Sequence, residues 1–360
     1  GVEIGRFPKS TESGRDVLHL VGLNDNDERL GFFGITNPND QPARFQLRFF
    51  DRNGEKLGIE PDPLSVAAFG QRQFQVRTIR DFGVSNQQDY RVEIELLSGG
   101  PVYPYGANVR LASEDLSFVR PGEASESTVY LIGALATFGL NDSLWQTDGI
   151  LANVGATPTQ TQMSYINVGN SSDPLDPVSL TLLPGETKRL SNVLVDRWDL
   201  DASSSLGVLT LQSTSSSGIF PLIQAESYDN ADPNRRFGQF MPALTQKDAA
   251  EAGQRQILAG LQQDELRRTT LWLLNPGEDT AEYDLRYRAL DGTELGTLEG
   301  YRVRGGRMRQ VSPSQHPLPD GVADGGFTVQ IVVRSGSLLS AAQVVDNQTN
   351  DPAFVVGATR

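Results

Sequence analysis

The chain has 360 residues with 45 acidic and 31 basic side chains, a net charge of −14, 38% hydrophobic residues and no cysteine. An acidic surface repels phosphate and argues against nucleic acid as a partner, the apolar content is that of a folded chain, and no apolar run of roughly 18 residues marks a membrane span. The lack of cysteine excludes disulfides, thiolate metal sites and thiol catalysis.

Residues 1–17 form an N-terminal tail, with Val2, Ile4 and Phe7 followed by a polar stretch. The tail either packs on its own first domain or completes the sheet edge of a neighbouring molecule. The chain starts at Gly1, as a processed exported protein or a trimmed piece would. His19 falls in a predicted first strand, followed by the acidic loop Asn24-Asp25-Asn26-Asp27-Glu28. Residues 31–36 are apolar and end at Asn37-Pro38-Asn39. Residues 44–49, 73–77 and 90–96 alternate polar and apolar, and Asn53-Gly54 predicts a tight type I′ hairpin. Residues 79–82 and 193–198 predict short helical crossovers. Residues 147–152 end at Asn153-Val154-Gly155, and residues 168–172 form a longer loop. Residues 245–252 predict two helical turns that link to a third unit. There, residues 269–274 end at Asn275-Pro276-Gly277, residues 283–288 and 327–331 alternate, and Asp291-Gly292 predicts a second I′ hairpin. Arg302, Arg304, Arg307 and Arg309 read as the wet face of two strands, and residues 312–317 as irregular.

These landmarks are one pattern written three times. The asparagine turns are spaced by 116 and 122 residues, the length of a whole domain. Gly70-Gln71, Gly185-Glu186 and Gly306-Arg307 each precede a strand-like stretch. Tyr228-Asp229-Asn230 and Val345-Asp346-Asn347 end copies two and three, whereas copy one reads Arg110-Leu111-Ala112 and has diverged there. Period-two alternation means one buried and one wet face, and about seven such segments per copy predict an all-β chain of three tandem immunoglobulin-like antiparallel sandwiches. The predicted units are residues 18–123, 124–246 and 247–360.

Catalytic signatures are sparse. His19 and His316 are the only histidines, no G-x-S-x-G elbow, H-E-x-x-H pair or phosphate loop occurs, and both histidines read as structural. Carboxylate pairs are inevitable among so many acidic residues and identify no glycosidase site. The strongest site candidates are the two late turns. Asp229, Asn230 and Asp232 in one, and Asp346, Asn347 and Asp351 in the other, offer hard oxygen ligands suited to Ca²⁺. The same side chains also suit Asx-turns, and their spacing is not that of an EF-hand. No other cofactor is indicated. Trp145, Trp198 and Trp272 are candidates for a sugar platform, against the usual placement of aromatics in a core.

The run Leu271-Trp272-Leu273-Leu274-Asn275-Pro276-Gly277, the turn Leu290-Asp291-Gly292, the ending Val344 to Pro352 and the junction Gly238 to Ala243 resemble immunoglobulin-like repeats of secreted or cell-surface bacterial proteins. The resemblance covers almost the whole chain from Leu18 and implies a fold, an exported location and no catalytic residues. The resulting expectation is a non-enzymatic extracellular structural or adhesive protein, a surface or filament component, located outside the cell or at its surface, with the periplasm as the alternative. Its partners would be other protein subunits through self-assembly, or a cell-surface or polysaccharide ligand. The alternative is a carbohydrate-binding or accessory module of a secreted hydrolase.

Overall fold

The computed structural model describes residues 17–122, 128–140, 142–168, 174–200, 204–213, 222–232, 236–312, 319, 321–322 and 325–360. Among these, antiparallel strands dominate. The first repeat holds β1 (Val17–Asp25), β2 (Arg29–Thr36), β3 (Ala43–Phe50), β4 (Lys56–Leu57), β5 (Leu64–Val66), β6 (Gln71–Phe74), β7 (Gln87–Ser98), β8 (Tyr103–Arg110) and β9 (Asp115–Val119). The second holds β10 (Val129–Phe138), β11 (Leu144–Ala152), β12 (Thr159–Asn167), β13 (Val178–Leu182), β14 (Thr187–Leu190), β15 (Ser204–Ser213), β16 (Leu222–Asp229), β17 (Gly238–Pro242) and β18 (Leu244–Thr245). The third holds β19 (Ala250–Glu251), β20 (Arg255–Gln263), β21 (Arg267–Leu274), β22 (Ala281–Ala289), β23 (Glu294–Val303), β24 (Met308–Val311), β25 (Gly325–Ser335), β26 (Ser337–Asp346), β27 (Pro352–Val356) and β28 (Ala358–Thr359). The crossovers expected in copies one and two are short helices, α1 (Val76–Asp81) and α2 (Val193–Trp198). The irregular segment expected at 312–317 falls mostly outside the described residues.

Each repeat contains two layers. In the first, the order β4-β3-β7-β1 makes one layer and β6-β2-β8-β9 the other; they join only where β1 meets β2 at Asp25 and Leu30. The second repeats this as β13-β12-β15-β10 and β14-β11-β16-β17, the third as β23-β22-β25-β20 and β24-β21-β26-β27. Alternating side chains from both layers meet between them: Leu20, Phe45 and Tyr90 from one, and Phe33, Ile35 and Phe74 from the other, share one buried cluster. The architecture is that of an antiparallel sandwich. Its strand order is specific. An immunoglobulin domain places its first strand beside the second and its last beside the sixth. Here β1 lies beside β7, and β8 lies beside β2, so an early and a late strand exchange places.

Three devices recur. The asparagine that ends the second strand is fully buried each time (Asn37, Asn153, Asn275). Its Nδ2 donates to the carbonyl four residues on (Gln41, Thr157, Asp279, at 2.8, 2.8 and 2.6 Å) and to a carbonyl before the next edge strand (Val66, Leu182, Val303). Its Oδ1 accepts the amide two residues on, from Asn39, Gly155 or Gly277. An amide with both donors and its acceptor committed is what a buried turn requires.

The second device is a bulge in the first strand. Gly22, Gly133 and Gly260 hold φ of +82°, +85° and +76° where the pairing of that strand slips by one residue. An amide next to a bulge loses its ladder partner. In every repeat the amide two residues past the glycine finds a side-chain oxygen instead. Leu135 donates to Thr147 Oγ1 at 2.9 Å, Gln262 to Thr269 Oγ1 at 3.2 Å and Asn24 to Asn108 Oδ1 at 3.0 Å. Copy one has Gly31 in place of the threonine, and Asn108 on the adjoining strand supplies the oxygen. Third, the end of each repeat returns to its own first strand: Gly122 to His19, Leu244 to Tyr130 and Ala358 to Ile257.

Two local expectations are corrected. The Asn53-Gly54 and Asp291-Gly292 turns are not type I′, which needs positive φ at both central residues. Only Gly54 (φ +85°) and Gly292 (φ +90°) are left-handed, and each closes a longer loop by donating to a carbonyl three residues back, Asp51 or Ala289. The two helical turns expected at 245–252 are a single 3-10 turn, Gln246–Asp248, followed at once by β19. The Asp248 carboxylate accepts from the Thr245 amide and hydroxyl, and the chain then re-enters a sheet.

Candidate interaction surfaces

The outer face of the layer containing the second strand has a different fate in each repeat. In the second repeat it is pressed against the first. Ile150, Ala152 and Phe240 join the buried cluster of the first repeat, and Gly185 lies so close to Gly54 that a β-carbon on either would meet the other's backbone below 3 Å. The Thr187 amide donates to the Arg52 carbonyl at 2.7 Å.

Around this contact lies a charge network built from both repeats. The first contributes Arg29, Arg110 and Asp89; the second contributes Asp148, Arg189 and Glu226. Glu226 accepts from Arg29 Nη1 at 2.5 Å, Arg110 Nη2 at 3.0 Å and Arg189 Nη1 at 3.0 Å. Arg189 also grips Asp89 at 2.7 Å and Asp148 at 3.1 Å. Asp148 Oδ1 takes the Asn192 amide and the Tyr228 hydroxyl. Three positive and three negative groups cancel, as burial demands. Burial pushes the Glu226 carboxyl up, but the arginines outweigh it and hold the pKa at about 2. Arg189 pays burial as well, and its acids hold its pKa well above the ordinary value. Nearby Asp115, which accepts the Gly238 amide at 2.8 Å, is pushed up to about 6 mainly by burial. A carboxylate clasped by three guanidinium groups is held in its ionised form and is a weak proton acceptor.

The third repeat docks on the second through the equivalent face, with apolar chemistry. Trp272, at the position of Ile150, packs with Ile132, Ile166 and Val208 and is 1% exposed. Phe354, at the position of Phe240, lies 5.9 Å from the Trp272 ring. Leu135, Trp145 and Val345 form a smaller cluster beside it.

In the first repeat, among the described residues, the same face is covered by no other repeat. Gly34 stands where Ile150 and Trp272 stand, and the Tyr105 ring lies over it: a β-carbon on Gly34 would be 2.5 Å from Tyr105 Cζ. Phe118, the equivalent of Phe240 and Phe354, is 52% exposed. Thr36, Gln71, Tyr105, Phe118, Arg120 and Pro121 line a groove of about 450 Å³ there.

The predicted ligand turns are hydrogen-bonded internally. Asp229 Oδ1 accepts the amides of Leu144 and Ala231, and Asn230 Nδ2 donates to Gln146. Asp346 Oδ1 accepts from Gln348, Thr349 and the Thr349 hydroxyl, and Asn347 bridges Arg268 to the Glu265 carbonyl. Asp351, raised by burial and by Asp346, is in the second turn, and Asp232 is exposed in the first. The structure thus keeps the two sets on separate turns. Among the described residues no group of three His, Asp or Glu side chains is arranged to hold a metal ion. In the acidic loop, Asn26 Oδ1 accepts the Glu28 and Arg29 amides. His19 is buried in β1, its Nδ1 accepting from Arg91 at 3.2 Å; burial and then that charge depress its pKa to about 3. His316 lies outside the described residues. Of the tryptophans, Trp145 and Trp272 are buried, and Trp198 Nε1 donates to the Asp176 carbonyl.

The sequence reading passes over the bulge glycines and the inter-repeat charges. An isolated glycine inside a strand pattern signals a bulge, and Val21-Gly22-Leu23, Ile132-Gly133-Ala134 and Ala259-Gly260-Leu261 carry that signal. Nothing local in the sequence marks Asp148 and Glu226 as buried partners.

No protein-family model matches the chain, and no curated protein matches it. Among the described residues no helix is long and apolar enough to cross a membrane.

Proposed function

We propose that this chain is a non-enzymatic extracellular structural or adhesive protein, a surface or filament component made of three tandem immunoglobulin-like sandwiches in which the first and a late strand exchange places. The observation that supports this reading is the reuse of one outer face, at Ile150 and Trp272, to join successive repeats. The buried carboxylates Glu226 and Asp148 belong to the charge network at that joint. A building unit accounts for the burial of both apolar and charged groups between repeats, since a large buried interface holds successive repeats in fixed orientation.

The test is electron microscopy of chromatographic fractions, with a glycoside and peptide substrate screen on the same material. Ordered multi-chain assemblies without turnover are expected; a single chain that hydrolyses substrate would refute the reading.

A second reading, a carbohydrate-binding module of a secreted hydrolase, draws on the aromatic groove between Tyr105 and Phe118. It requires saturable binding of a soluble oligosaccharide that Phe118→Ala abolishes.

A further inference from the structure

The first and third repeats carry complementary halves of the joint that is already made twice between the described repeats. The upstream half is the second-strand face of the first repeat. At the equivalent positions Phe240 is buried and Phe354 half-buried, whereas Phe118 is 52% exposed. Phe69, which precedes Gly70 as Pro184 precedes Gly185, is 75% exposed. The downstream half lies on the third repeat. The residue before the bulge glycine is Val21 in the first repeat and Ile132 in the second, each covered by the next repeat; in the third it is Ala259, which is exposed. The turn whose Gly54 meets Gly185 in the first joint is Leu290-Asp291-Gly292 in the third, and Leu290 is 74% exposed. Leu266, in the turn after the bulge strand, is 53% exposed. Phe118 and Ala259 are open at positions whose equivalents, Phe240 for the one and Val21 and Ile132 for the other, are buried in the internal joints, and Phe69, Leu266 and Leu290 add further exposed apolar surface; such faces bind.

We infer that the first-repeat face around Phe69, Tyr105 and Phe118 docks the third repeat of a second copy of this chain, through the Leu266 and Leu290 turns. The inference rests on the structural reading above and names its partner. The joint is heterologous: the two surfaces differ, so each added copy leaves one of each open, and the series closes into a ring or grows as a filament according to the rotation per step. The Tyr105 ring occupies the space over Gly34, and the groove of about 450 Å³ lined by Thr36, Gln71, Tyr105, Phe118 and Pro121, with Arg120 at its wall, is open to the incoming Leu266 and Leu290.

The chain has no cysteine, which permits a clean cross-linking test. Gln71 and Thr293 are exposed and flank the positions equivalent to the Gly185–Gly54 contact. The double variant Gln71→Cys with Thr293→Cys, oxidised at rising concentration, is expected to give a ladder of dimers, trimers and higher species. The ladder should fall at least tenfold when Phe118→Asp is added. A control pair placed away from both faces, Leu97→Cys with Leu183→Cys, measures random collision. A Gln71/Thr293 ladder no stronger than the control overturns the inference. Light scattering of the unmodified chain then separates the two readings. Assembly without the specific ladder removes head-to-tail docking and leaves the structural reading standing. A single-chain species whose Phe118 becomes protected by a soluble glycan removes both.

Discussion

Gly133 lies directly beneath the ring of Trp272, so close that a β-carbon at Gly133 would stand 2.3 Å from Cζ3. One residue serves two ends here. Its left-handed φ of +85° forms the bulge of the second repeat, and its lack of a side chain admits the tryptophan of the third. Gly133→Ala is therefore strained twice, by backbone and by overpacking. The expected loss is about 2–4 kcal/mol by denaturant unfolding, combining left-handed and overpacking costs. Trp272→Ala should cost roughly 3–5 kcal/mol by leaving a cavity between repeats. Near-neutral values for both would mean that the second and third repeats are not packed in this way.

The buried asparagines give a prediction that can be repeated three times in one chain. Asn→Ala at position 37, 153 or 275 removes the bonds to at least two carbonyls and one amide, and each should cost roughly 1–3 kcal/mol. Asn→Asp keeps the acceptor and loses both donations, so it should also destabilise. Equal unfolding midpoints for the Asp variants and the parent chain would show that the donated bonds contribute nothing.

Glu226→Gln leaves Arg29, Arg110 and Arg189 facing one another without their shared anion. Breaking a buried network from one side costs about 3–5 kcal/mol. The loss should be partly recovered when Arg29 is also replaced by Met, and thermal unfolding of the single and double variants would reveal that coupling. Strict additivity of the two substitutions would contradict a shared network.

Stability should depend on pH through His19. Its folded pKa, about 3, lies below the ordinary value of 6.5 because burial, and then Arg91, disfavour the imidazolium. The unfolded chain takes up the proton first, so stability is full above pH 6.5 and falls as pH drops from there towards 3. Glu226, depressed to about 2 from 4.5, adds a further loss that begins only below pH 4.5. Asp115 acts in the opposite sense: raised to about 6, it contributes stability below pH 3.8 that is lost as pH rises through 6. His19→Gln should therefore remove the decline between pH 6.5 and 4.5 and leave the steeper acid limb. An unchanged profile in that window would show that His19 is not buried neutral.

The sandwich layers were legible because strand alternation is a local property. Residues 44–49 and 327–331 place every second side chain in a core, and the asparagine turns punctuate the strands at the same point in each copy. The exchange of strand places was not legible, since β1 beside β7 is a pairing over some seventy residues and both strands alternate whichever neighbour they have. The joints between repeats were hidden for a related reason. Alternation separates two faces but does not say what covers the outer one. Trp272 is flanked by leucines on both sides, so its strand is apolar on both faces, and the outer one is buried by Ile132 and Val208 from another repeat. Arg29, Asp89, Asp148 and Glu226 are scattered along the chain and meet only in three dimensions. The late Asp-Asn turns lie between two strands as their sequence predicts, and Asp229 and Asp346 sit where backbone amides converge.

Sedimentation velocity across a concentration series, on the parent chain and on Phe118→Asp, tests the central claim most directly. The account predicts a weight-average mass that climbs above the 39.2 kDa of one chain as concentration rises, and a Phe118→Asp variant that stays at one chain throughout. A parent chain that remains a single 39.2 kDa species at every concentration would contradict it.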